Sequence, residues 1–464
     1  MQLNENHKKE LEQLIEDYME AYQGQGLVIS LVNKKGESIY RRYFGWRNVE
    51  KQLPITPDTI FGMASITKSF TALAIMQLVE KGILDLYAPL NRYLPEFVYP
   101  NAQMPKLWHL LAHTAGYPPQ PRLRITEIAP GMDMPEEERE DYAYSQAIAD
   151  EGRRLLVDRL GKVERFLGQP GEYLSYSNDG YALMSEIIRQ YGGEDSYASY
   201  VEKYILQPLG MTRSTYSFKI PKEDDNATVL YQPLKDELRV TNDWLNNHFM
   251  MMGGGSIKST LSDMERYLAF WLNHGDVGQE RIISSRSLRA MQKARMPYGH
   301  LVNYCFGLQT FNLDDIIVAG HGGSLTGVAT NMLWSHDLGL GVVVLSNTSG
   351  MPVAAITKAA MKMANNHSPL EPFIDFKDCP WPLEEKEKAQ GTFVSGEGST
   401  FVISLKEENL YINVAGEDFK LRTVLPSLAL APVKMVPSEV RFYKNDQDEV
   451  WAIGYGGRMI LRKE

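Results

Sequence analysis

The stretch FGMASITKSF, residues 61–70, leads into a segment of the chain that is apolar nearly all round. From Thr67 to Lys81 polar side chains are so few that the pattern predicts a helix buried on every side. Gly82 follows at the position where a residue in the left-handed conformation ends many helices. Because a fully buried helix lies at the centre of a domain, this stretch decides where the rest of the chain packs.

Ser65 and Lys68 stand at the start of this helix, and side chains three residues apart project from the same helical face. A helix N-terminus also favours negative charge and directs free N–H groups outward. A lysine held beside a serine in a desolvated cleft can lose its proton and then activate the serine as a nucleophile. One Ser-x-x-Lys in a chain of 464 residues is also expected by chance, so the motif needs partners.

Strand patterns lie on both sides of this helix in the sequence. Residues 26–46 resemble a β-hairpin around a turn at Asn33–Gly36, and strand patterns return after about residue 295. The segments between them are mostly helical or irregular. We therefore expect an α+β fold, in which the early hairpin joins the late strands in one antiparallel sheet flanked by helices, with a helical subdomain inserted.

The end of the chain predicts a different architecture. Residues 366–383 contain four prolines and predict a linker. Residues 384–464 alternate apolar and polar side chains with frequent turns, which predicts a small antiparallel β-barrel of the lipocalin kind. This part holds no His or Cys, so we interpret it as accessory to a main domain formed by residues 1–365.

A second candidate motif is Tyr176-Ser177-Asn178. A tyrosine phenol close to Lys68 can pass a proton between the serine and a leaving group, and Asn178 can hold a substrate amide or the lysine. Tyr-x-Asn occurs four times in the chain, which weakens the motif on its own. Tyr176 follows a Pro-Gly turn and begins a helical run, which predicts a position at a second helix N-terminus.

A third candidate motif is His321-Gly322-Gly323-Ser324, directly after a strand pattern. Two glycines at a strand edge allow a substrate backbone to come close. The N–H of Ser324, paired with that of Ser65, is predicted to form an oxyanion hole. His321 by itself is equally compatible with a structural histidine in a tight turn.

The three motifs together, in this order, resemble the Ser-x-x-Lys, Ser-Asp-Asn and Lys-Thr-Gly signature of serine β-lactamases and penicillin-binding proteins. The tyrosine of the second motif resembles class C β-lactamases and the related DD-peptidases, D-aminopeptidases and esterases. The resemblance extends over about residues 10–365, through phrases such as TPDTIFGMASITK, LWHLLAHTAGY and GVVVLSN.

This resemblance implies a serine hydrolase that forms an acyl-enzyme and needs neither a metal nor another cofactor. Ser65 is then the nucleophile, and Lys68 and Tyr176 carry the proton. The residues expected to hold the oxyanion and the substrate are Asn178, His321, Gly322, Gly323 and Ser324.

His321 stands where the family has the lysine associated with a substrate carboxylate. A histidine is mostly neutral at pH 7 and attracts a carboxylate less. The change resembles the D-aminopeptidase-like and some esterase-like branches, so we expect a small amide, a short peptide with an N-terminal D-residue, or an ester as substrate. Carboxylesterase, weak β-lactamase or DD-carboxypeptidase activity are the alternatives. No general-base glutamate motif of the class A kind precedes Tyr176, so deacylation is expected to use Tyr176 and Lys68.

Other readings of the sequence have less support. His109 and His113 have the spacing of a zinc-protease helix but lack its glutamate, and the phrase GGGSIKST lacks the glycine that a phosphate loop places before its lysine. A non-catalytic binding or scaffold module remains an alternative, although Ser65, Lys68 and Tyr176 are all present. The acidic run Glu136–Asp141 predicts a solvated helix start, or less often a lid over the pocket.

Composition limits the partners. A net charge of −10 argues against nucleic acid and anionic membranes, and the chain has neither a signal-peptide pattern nor a membrane-spanning apolar run. We expect a cytoplasmic protein, although a chain whose leader had been removed would look the same. The sequence leaves homo-oligomerisation open.

Overall fold

The computed structural model describes residues 3–128, 141–235, 237–241, 244, 251–277 and 280–463. The acidic run Glu136–Asp141 lies outside the described residues except for Asp141. Within those ranges no helix is both long and apolar enough to cross a membrane.

The helices are short or of medium length and are distributed along the chain. In order they are α1 (Glu5–Ala21), α2 (Thr67–Glu80), α3 (Leu107–Leu111), α4 (Ile125–Ile128), α5 (Gln146–Leu160), α6 (Asn178–Tyr191), α7 (Tyr197–Val201), α8 (Ile220–Glu223), α9 (Met251–Gly255), α10 (Leu261–Leu272), α11 (Ser285–Gln292), α12 (Val353–Ala364) and α13 (Leu383–Ala389).

The longer strands of the first 346 residues lie near the two ends of that region, short strands lie between them, and further strands form the C-terminal part. They are β1 (Gly26–Asn33), β2 (Ser38–Asn48), β3 (Leu53–Pro54), β4 (Phe61–Gly62), β5 (Leu230–Pro233), β6 (Leu238–Thr241), β7 (Lys258–Ser259), β8 (Asp276–Val277), β9 (Glu280–Arg281), β10 (Met296–Gly299), β11 (Val302–Tyr304), β12 (Gln309–Leu313), β13 (Ile316–Leu325), β14 (Val328–Ser335), β15 (Leu340–Ser346), β16 (Gly391–Val394), β17 (Thr400–Lys406), β18 (Asn409–Val414), β19 (Glu417–Lys420), β20 (Arg422–Leu425), β21 (Leu428–Ala431), β22 (Ser438–Lys444), β23 (Val450–Tyr455) and β24 (Arg458–Leu461).

The largest sheet is antiparallel and has nine strands, in the order β10-β11-β12-β13-β14-β15-β1-β2-β3. Its early and late strands meet where β1 pairs with β15, with Leu27 opposite Ser346. The predicted α+β architecture, with the first hairpin joined to the last strands, is therefore confirmed.

Helices cover both faces of this sheet, and the sequence of β1 explains why. Successive side chains of a strand point to opposite faces. Val28 and Val32 pack into the core that also holds α2 and α10, whereas Leu27, Ile29 and Leu31 pack into the core under α1 and α12. A strand buried on both faces reads as a continuous apolar run, as GLVISLV does.

Helix α2 is the buried central helix that the sequence predicts. Every side chain from Thr67 to Leu78 is buried, and Gly82, just beyond the end of the helix, has φ +74, in the left-handed region. Phe70 is fully buried and stacks on Tyr267 of α10, with ring centroids 4.0 Å apart. This packing holds the helix rigidly against the sheet layer.

The C-terminal segment, residues 384–463, is antiparallel β structure with a hydrophobic core of its own. Its strands form two sheets, β16–β19 and β20–β24, rather than the single closed barrel that the alternation suggests. The chain leaves the first sheet through Leu421, and the two sheets meet at an isolated bridge between Phe393 and Arg462. The boundaries at residues 365 and 384 stay a prediction.

Truncating Phe70 to alanine is expected to lower the free energy of unfolding by about 3–5 kcal/mol, because it leaves a cavity in the central helix packing. Tyr87→Ala is a matched control, since Tyr87 is 63% exposed and its loss should change stability by less than about 0.5 kcal/mol. Denaturant unfolding followed by tryptophan fluorescence measures both, and equal stabilities would contradict the central role of α2.

Candidate active site

Ser65 lies in a 3₁₀ turn, Ala64–Ile66, that leads directly into α2. The residue before it, Ala64, has φ +48, a backbone conformation that is uncommon for residues other than glycine. The turn is held by burial of Ala64 and by the Thr67 hydroxyl, which donates a hydrogen bond to the Ala64 carbonyl at 2.7 Å. Ser65 thereby faces a cavity of about 470 Å³.

Lys68 is completely buried one helical turn beyond the serine. Its Nζ lies 3.2 Å from Ser65 Oγ, 2.8 Å from Asn178 Oδ1 and 2.7 Å from the Gly254 carbonyl oxygen. Burial lowers the pKa of Lys68 well below its ordinary value, and the nearby Arg458 lowers it further. The side chain is therefore suited to exist as a neutral amine.

The three partners of Lys68 match the number of hydrogen bonds that the neutral amine can donate and accept. It has two N–H donors and one lone pair. The amide oxygen of Asn178 and the carbonyl of Gly254 can only accept, so they take the two protons. The lone pair is then left for the hydroxyl of Ser65, which is the arrangement of a base that activates a nucleophile.

Tyr176 completes the group around the serine. Lys68 Nζ lies 4.7 Å from the centre of its ring. Burial raises the pKa of Tyr176 well above its ordinary value, while a hydrogen bond with Ser65 acts in the opposite direction. The phenol is therefore protonated, and it can donate its proton when a neighbouring group becomes a strong enough base.

His113 supports this tyrosine from behind. Its ring packs on that of Tyr176, with centroids 4.1 Å apart, and its Nδ1 accepts a hydrogen bond from the Ser177 N–H at 3.1 Å. Burial lowers the pKa of His113 well below its ordinary value, and Lys68 acts in the same direction when it is protonated. The sequence suggested only a core or loop histidine here, and the contact with Tyr176 gives it a positioning role.

The two histidines of the WHLLAH phrase do not share a helical face. His109 lies within α3 and accepts a hydrogen bond from the Lys106 N–H at 2.8 Å. His113 lies beyond the helix with φ +59. In the part of the chain that the structure describes, no group of three His, Cys, Asp or Glu side chains is placed to hold a metal ion.

His321 lies in β13 on the other side of the cavity. Its Nε2 is 3.0 Å from the Tyr304 hydroxyl, and its Nδ1 faces the Gly322 carbonyl oxygen, which can only accept. Nδ1 therefore carries the proton, and Nε2 accepts from the tyrosine. Burial is the main cause that lowers the pKa of His321 to about 3, and Lys68 acts in the same direction when it is protonated, so this ring offers no positive charge to a substrate.

The glycines after His321 let β13 pass close to the serine turn. A Cβ atom on Gly323 would lie 2.4 Å from the Met63 carbonyl oxygen, so only glycine fits there. Ser324 follows at the exposed rim, and Ser65 and Ser324 line the same cavity. The oxyanion hole formed by their two N–H groups stays a prediction.

The GGGS phrase contributes to the site in a way that the sequence did not reveal. Gly253 and Gly254 belong to α9, and Lys258 lies buried in β7, so the phrase does not form a phosphate loop. A Cβ atom on Gly253 would lie 2.3 Å from the Tyr181 carbonyl oxygen of α6, so glycine allows the two helices to touch. This contact brings the Gly254 carbonyl to Lys68. The run of three glycines was the available signal.

The C-terminal segment also reaches the cavity, through the tip of the β23–β24 hairpin. The guanidinium of Arg458 lies 4.9 Å from the centre of the Tyr176 ring, and it pairs with Glu397 at 3.2 Å. The Gly457 carbonyl accepts a hydrogen bond from the Tyr176 N–H at 2.9 Å. The segment that we interpreted as accessory therefore contacts the candidate catalytic group directly.

Comparison with known proteins shows which proteins this chain is similar to. Residues 11–364 match the protein family described as Beta-lactamase. Penicillin-binding protein 4* of Bacillus subtilis (strain 168) is 28% identical over 437 residues, which cover 89% of both chains. The D-aminopeptidase of Gluconobacter oxydans (strain 621H) is 26% identical over 375 residues, which cover 80% of this chain and 64% of that protein.

A solved structure resembles the whole chain. The octameric penicillin-binding protein homologue from Pyrococcus abyssi superimposes with a TM-score of 0.67 at 26% sequence identity. The match covers 98% of this chain and 100% of the homologue. The similarity therefore includes the C-terminal segment as well as the large sheet.

The rate of acylation of Ser65 is expected to reach its plateau well below pH 10.5, the ordinary pKa of lysine. Lys68 acts as a base only when deprotonated, so the rate rises as pH rises through its lowered pKa and then stays level. The raised pKa of Tyr176 removes any fall near pH 10, the ordinary pKa of tyrosine. Inactivation by a fluorophosphonate probe, followed against pH, measures this profile. A rate that keeps rising towards pH 10.5 would contradict it.

Replacing Arg458 with glutamine should shift this profile to higher pH. The guanidinium lowers the pKa of Lys68 while Glu397 raises it, so loss of the cation raises that pKa. Arg458→Lys keeps the charge and should stay close to wild type. A double variant with Glu397→Gln loses both effects and should fall between wild type and Arg458→Gln. Identical profiles for all four proteins would show that Arg458 has no influence on the lysine.

Proposed function

The chain belongs to the beta-lactamase family, a family of serine hydrolases, and on that premise we propose that it hydrolyses a small amide, peptide or ester through an acyl-enzyme at Ser65. The observation that supports this most strongly is the set of contacts around Lys68. The lysine is buried, two carbonyl oxygens occupy its donors, and the hydroxyl of Ser65 is the remaining partner.

In the proposed mechanism Ser65 Oγ attacks the substrate carbonyl carbon while its proton moves to Lys68. The negative charge that develops on the carbonyl oxygen is stabilised by the N–H groups of Ser65 and Ser324. Tyr176 gives its proton to the leaving group as the acyl bond breaks and regains one from Lys68. Water then attacks the ester, with Lys68 and Tyr176 exchanging the same protons in reverse, and Ser65 is restored.

For the substrate we favour a D-aminopeptidase-like activity on short peptides. Neutral His321 supplies no cation beside the serine, which favours a substrate without a carboxylate at that point. The similarity to the Gluconobacter oxydans D-aminopeptidase supports the same choice. Ester hydrolysis uses the same acyl-enzyme and is the nearest alternative. Similarity to penicillin-binding protein 4* favours weak β-lactamase or DD-carboxypeptidase activity as a further candidate.

The Pyrococcus abyssi homologue is described as octameric. We include self-association of this chain in the proposal, and light scattering of the wild-type protein measures it. A non-catalytic binding or scaffold role has less support, because it gives no reason for a buried lysine aimed at a serine hydroxyl.

Ser65→Ala is expected to lower kcat by a factor on the order of 10⁵ to 10⁶, because the nucleophile is lost. Ser427→Ala is the matched control, since Ser427 is exposed in the turn between β20 and β21 and should keep wild-type activity. Chromogenic D-amino-acid anilides, p-nitrophenyl esters, a chromogenic cephalosporin and a D-Ala-D-Ala peptide form the substrate panel. Mass spectrometry after fluorophosphonate treatment identifies the modified residue.

Two results would contradict parts of this proposal separately. Efficient turnover of the cephalosporin or the D-Ala-D-Ala peptide, with none of the D-amino-acid anilides, would overturn the D-aminopeptidase assignment. Full activity of Ser65→Ala, or a probe adduct on another residue, would overturn the role of Ser65.

A further inference from the structure

A second cavity, of about 300 Å³, adjoins the one that contains Ser65. Both are lined by the same four residues at their junction, which are Tyr298, Gln309, Gly456 and Arg458. Helix α12 also runs past both: Val353 lines the first cavity, and Lys358 lines the second. The two cavities are therefore neighbours along one path that leads away from the serine.

Lys358 is a positive charge held in this second cavity without a counter-ion. Its Nζ lies 3.9 Å from the centre of the Phe373 ring and 5.1 Å from that of Phe311. It forms no ion pair with any residue that the structure describes. Burial lowers the pKa of Lys358 to about 8, and Glu439 acts in the opposite direction. A lysine in such surroundings is stabilised by an anion.

The other charges of the cavity leave an excess of cations. Arg441, in β22, also lines it and has no ion pair with a described residue. Glu439 is the one carboxylate among the described lining residues, and it already accepts a hydrogen bond from the His300 N–H at 2.9 Å. Arg458 adds a further positive charge at the junction, with its partner Glu397 outside the lining.

We infer that this second cavity binds a carboxylate of an elongated substrate whose reacting carbonyl lies at Ser65. The inference rests on the proposed hydrolase function and adds a substrate class to it. Neutral His321 makes the position beside the serine a poor place for a carboxylate, whereas Lys358 and Arg441 offer one further along. The substrate would then carry its carboxylate several bonds away from the bond that is cleaved.

Paired substrates test this directly. In one series, p-nitrophenyl monoesters of straight-chain dicarboxylic acids carry the carboxylate in the acyl half. In the other, acetyl esters of 4-hydroxyphenylalkanoic acids carry it in the leaving group. Each acid is compared with its methyl ester. We expect one series to favour the acid once the chain is long enough to reach Lys358, and a ratio of kcat/KM near one at every length in both series would overturn the inference.

Variants identify the cavity as the source of that preference. Lys358→Met and Arg441→Gln should each lower the acid-to-ester ratio about tenfold through a rise in KM for the acid, since each removes a charged partner. Lys358→Arg should keep the preference, and Glu439→Gln should increase it. Lys420→Met and Arg422→Gln remove exposed cations of the C-terminal segment and should retain the wild-type ratio. An unchanged ratio in Lys358→Met and Arg441→Gln would overturn the assignment.

A binding measurement separates this inference from the proposed hydrolysis. Calorimetric titration of the Ser65→Ala protein with the acids and with their methyl esters needs no turnover. Tighter binding of the acids, weakened by adding Lys358→Met, would support the cavity even if wild type hydrolysed none of the esters. Equal binding of acids and methyl esters would overturn it even if Ser65 proved to be the nucleophile.

Discussion

The desolvated amine of Lys68 is the constraint on which the site depends. Complete burial favours the neutral form of Lys68, and a neutral amine needs partners for two N–H bonds and one lone pair. Those partners come from three separate parts of the chain: the turn that precedes α2, the start of α6 and the end of α9. The packing of these helices is therefore also the condition for the chemistry, because a shift of any one leaves a buried polar atom unpaired.

The same demand for close packing explains several small residues that have no chemistry of their own. Gly253 lets α9 touch the backbone of α6, and Gly323 lets β13 run against the serine turn. The strained Ala64 lies between them, with φ +48 beside the nucleophile. Backbone strain of this kind persists only where the surrounding structure holds it in place. Here Ala64 is fully buried, and the start of α2 follows it almost directly.

Local features of the site could be predicted from the sequence, and features made by distant contacts could not. Ser65 and Lys68 lie three apart on one helix, so their proximity follows from helical geometry. Tyr176 and Asn178 lie at the start of a helix. The preceding Pro-Gly turn and the capping residue Ser177 both indicate this helix start. The joining of the first hairpin to the late strands could be predicted, because strand patterns lie at both ends of the region and mostly helical segments lie between them.

Arg458 shows why the rest was missed. Gly456 and Gly457, with φ +56 and +76, form a two-residue turn of the kind that joins hairpin strands. The pattern predicts a hairpin. No local feature of the sequence indicates that the tip of this hairpin contacts Tyr176, which lies almost 300 residues earlier in the chain. The packing of the C-terminal segment against Leu167 and Tyr173, together with the hydrogen bond from the Tyr176 N–H to the Gly457 carbonyl, places it there.

The two ends of the chain thus supply different parts of the electrostatics. The first part builds a neutral environment around the serine, in which Lys68, His113 and His321 all have lowered pKa values and Tyr176 has a raised one. The C-terminal segment brings the formal charges of Arg458, Glu397, Glu439 and Arg441 to the edge of that environment. Since burial lowers the pKa of Lys68, while Arg458 lowers it further and Glu397 raises it, the placement of these charges affects reactivity at the serine as well as the choice of ligand. A substitution in the C-terminal segment can therefore alter both at once, and only a comparison of charged with neutral substrates separates the two effects.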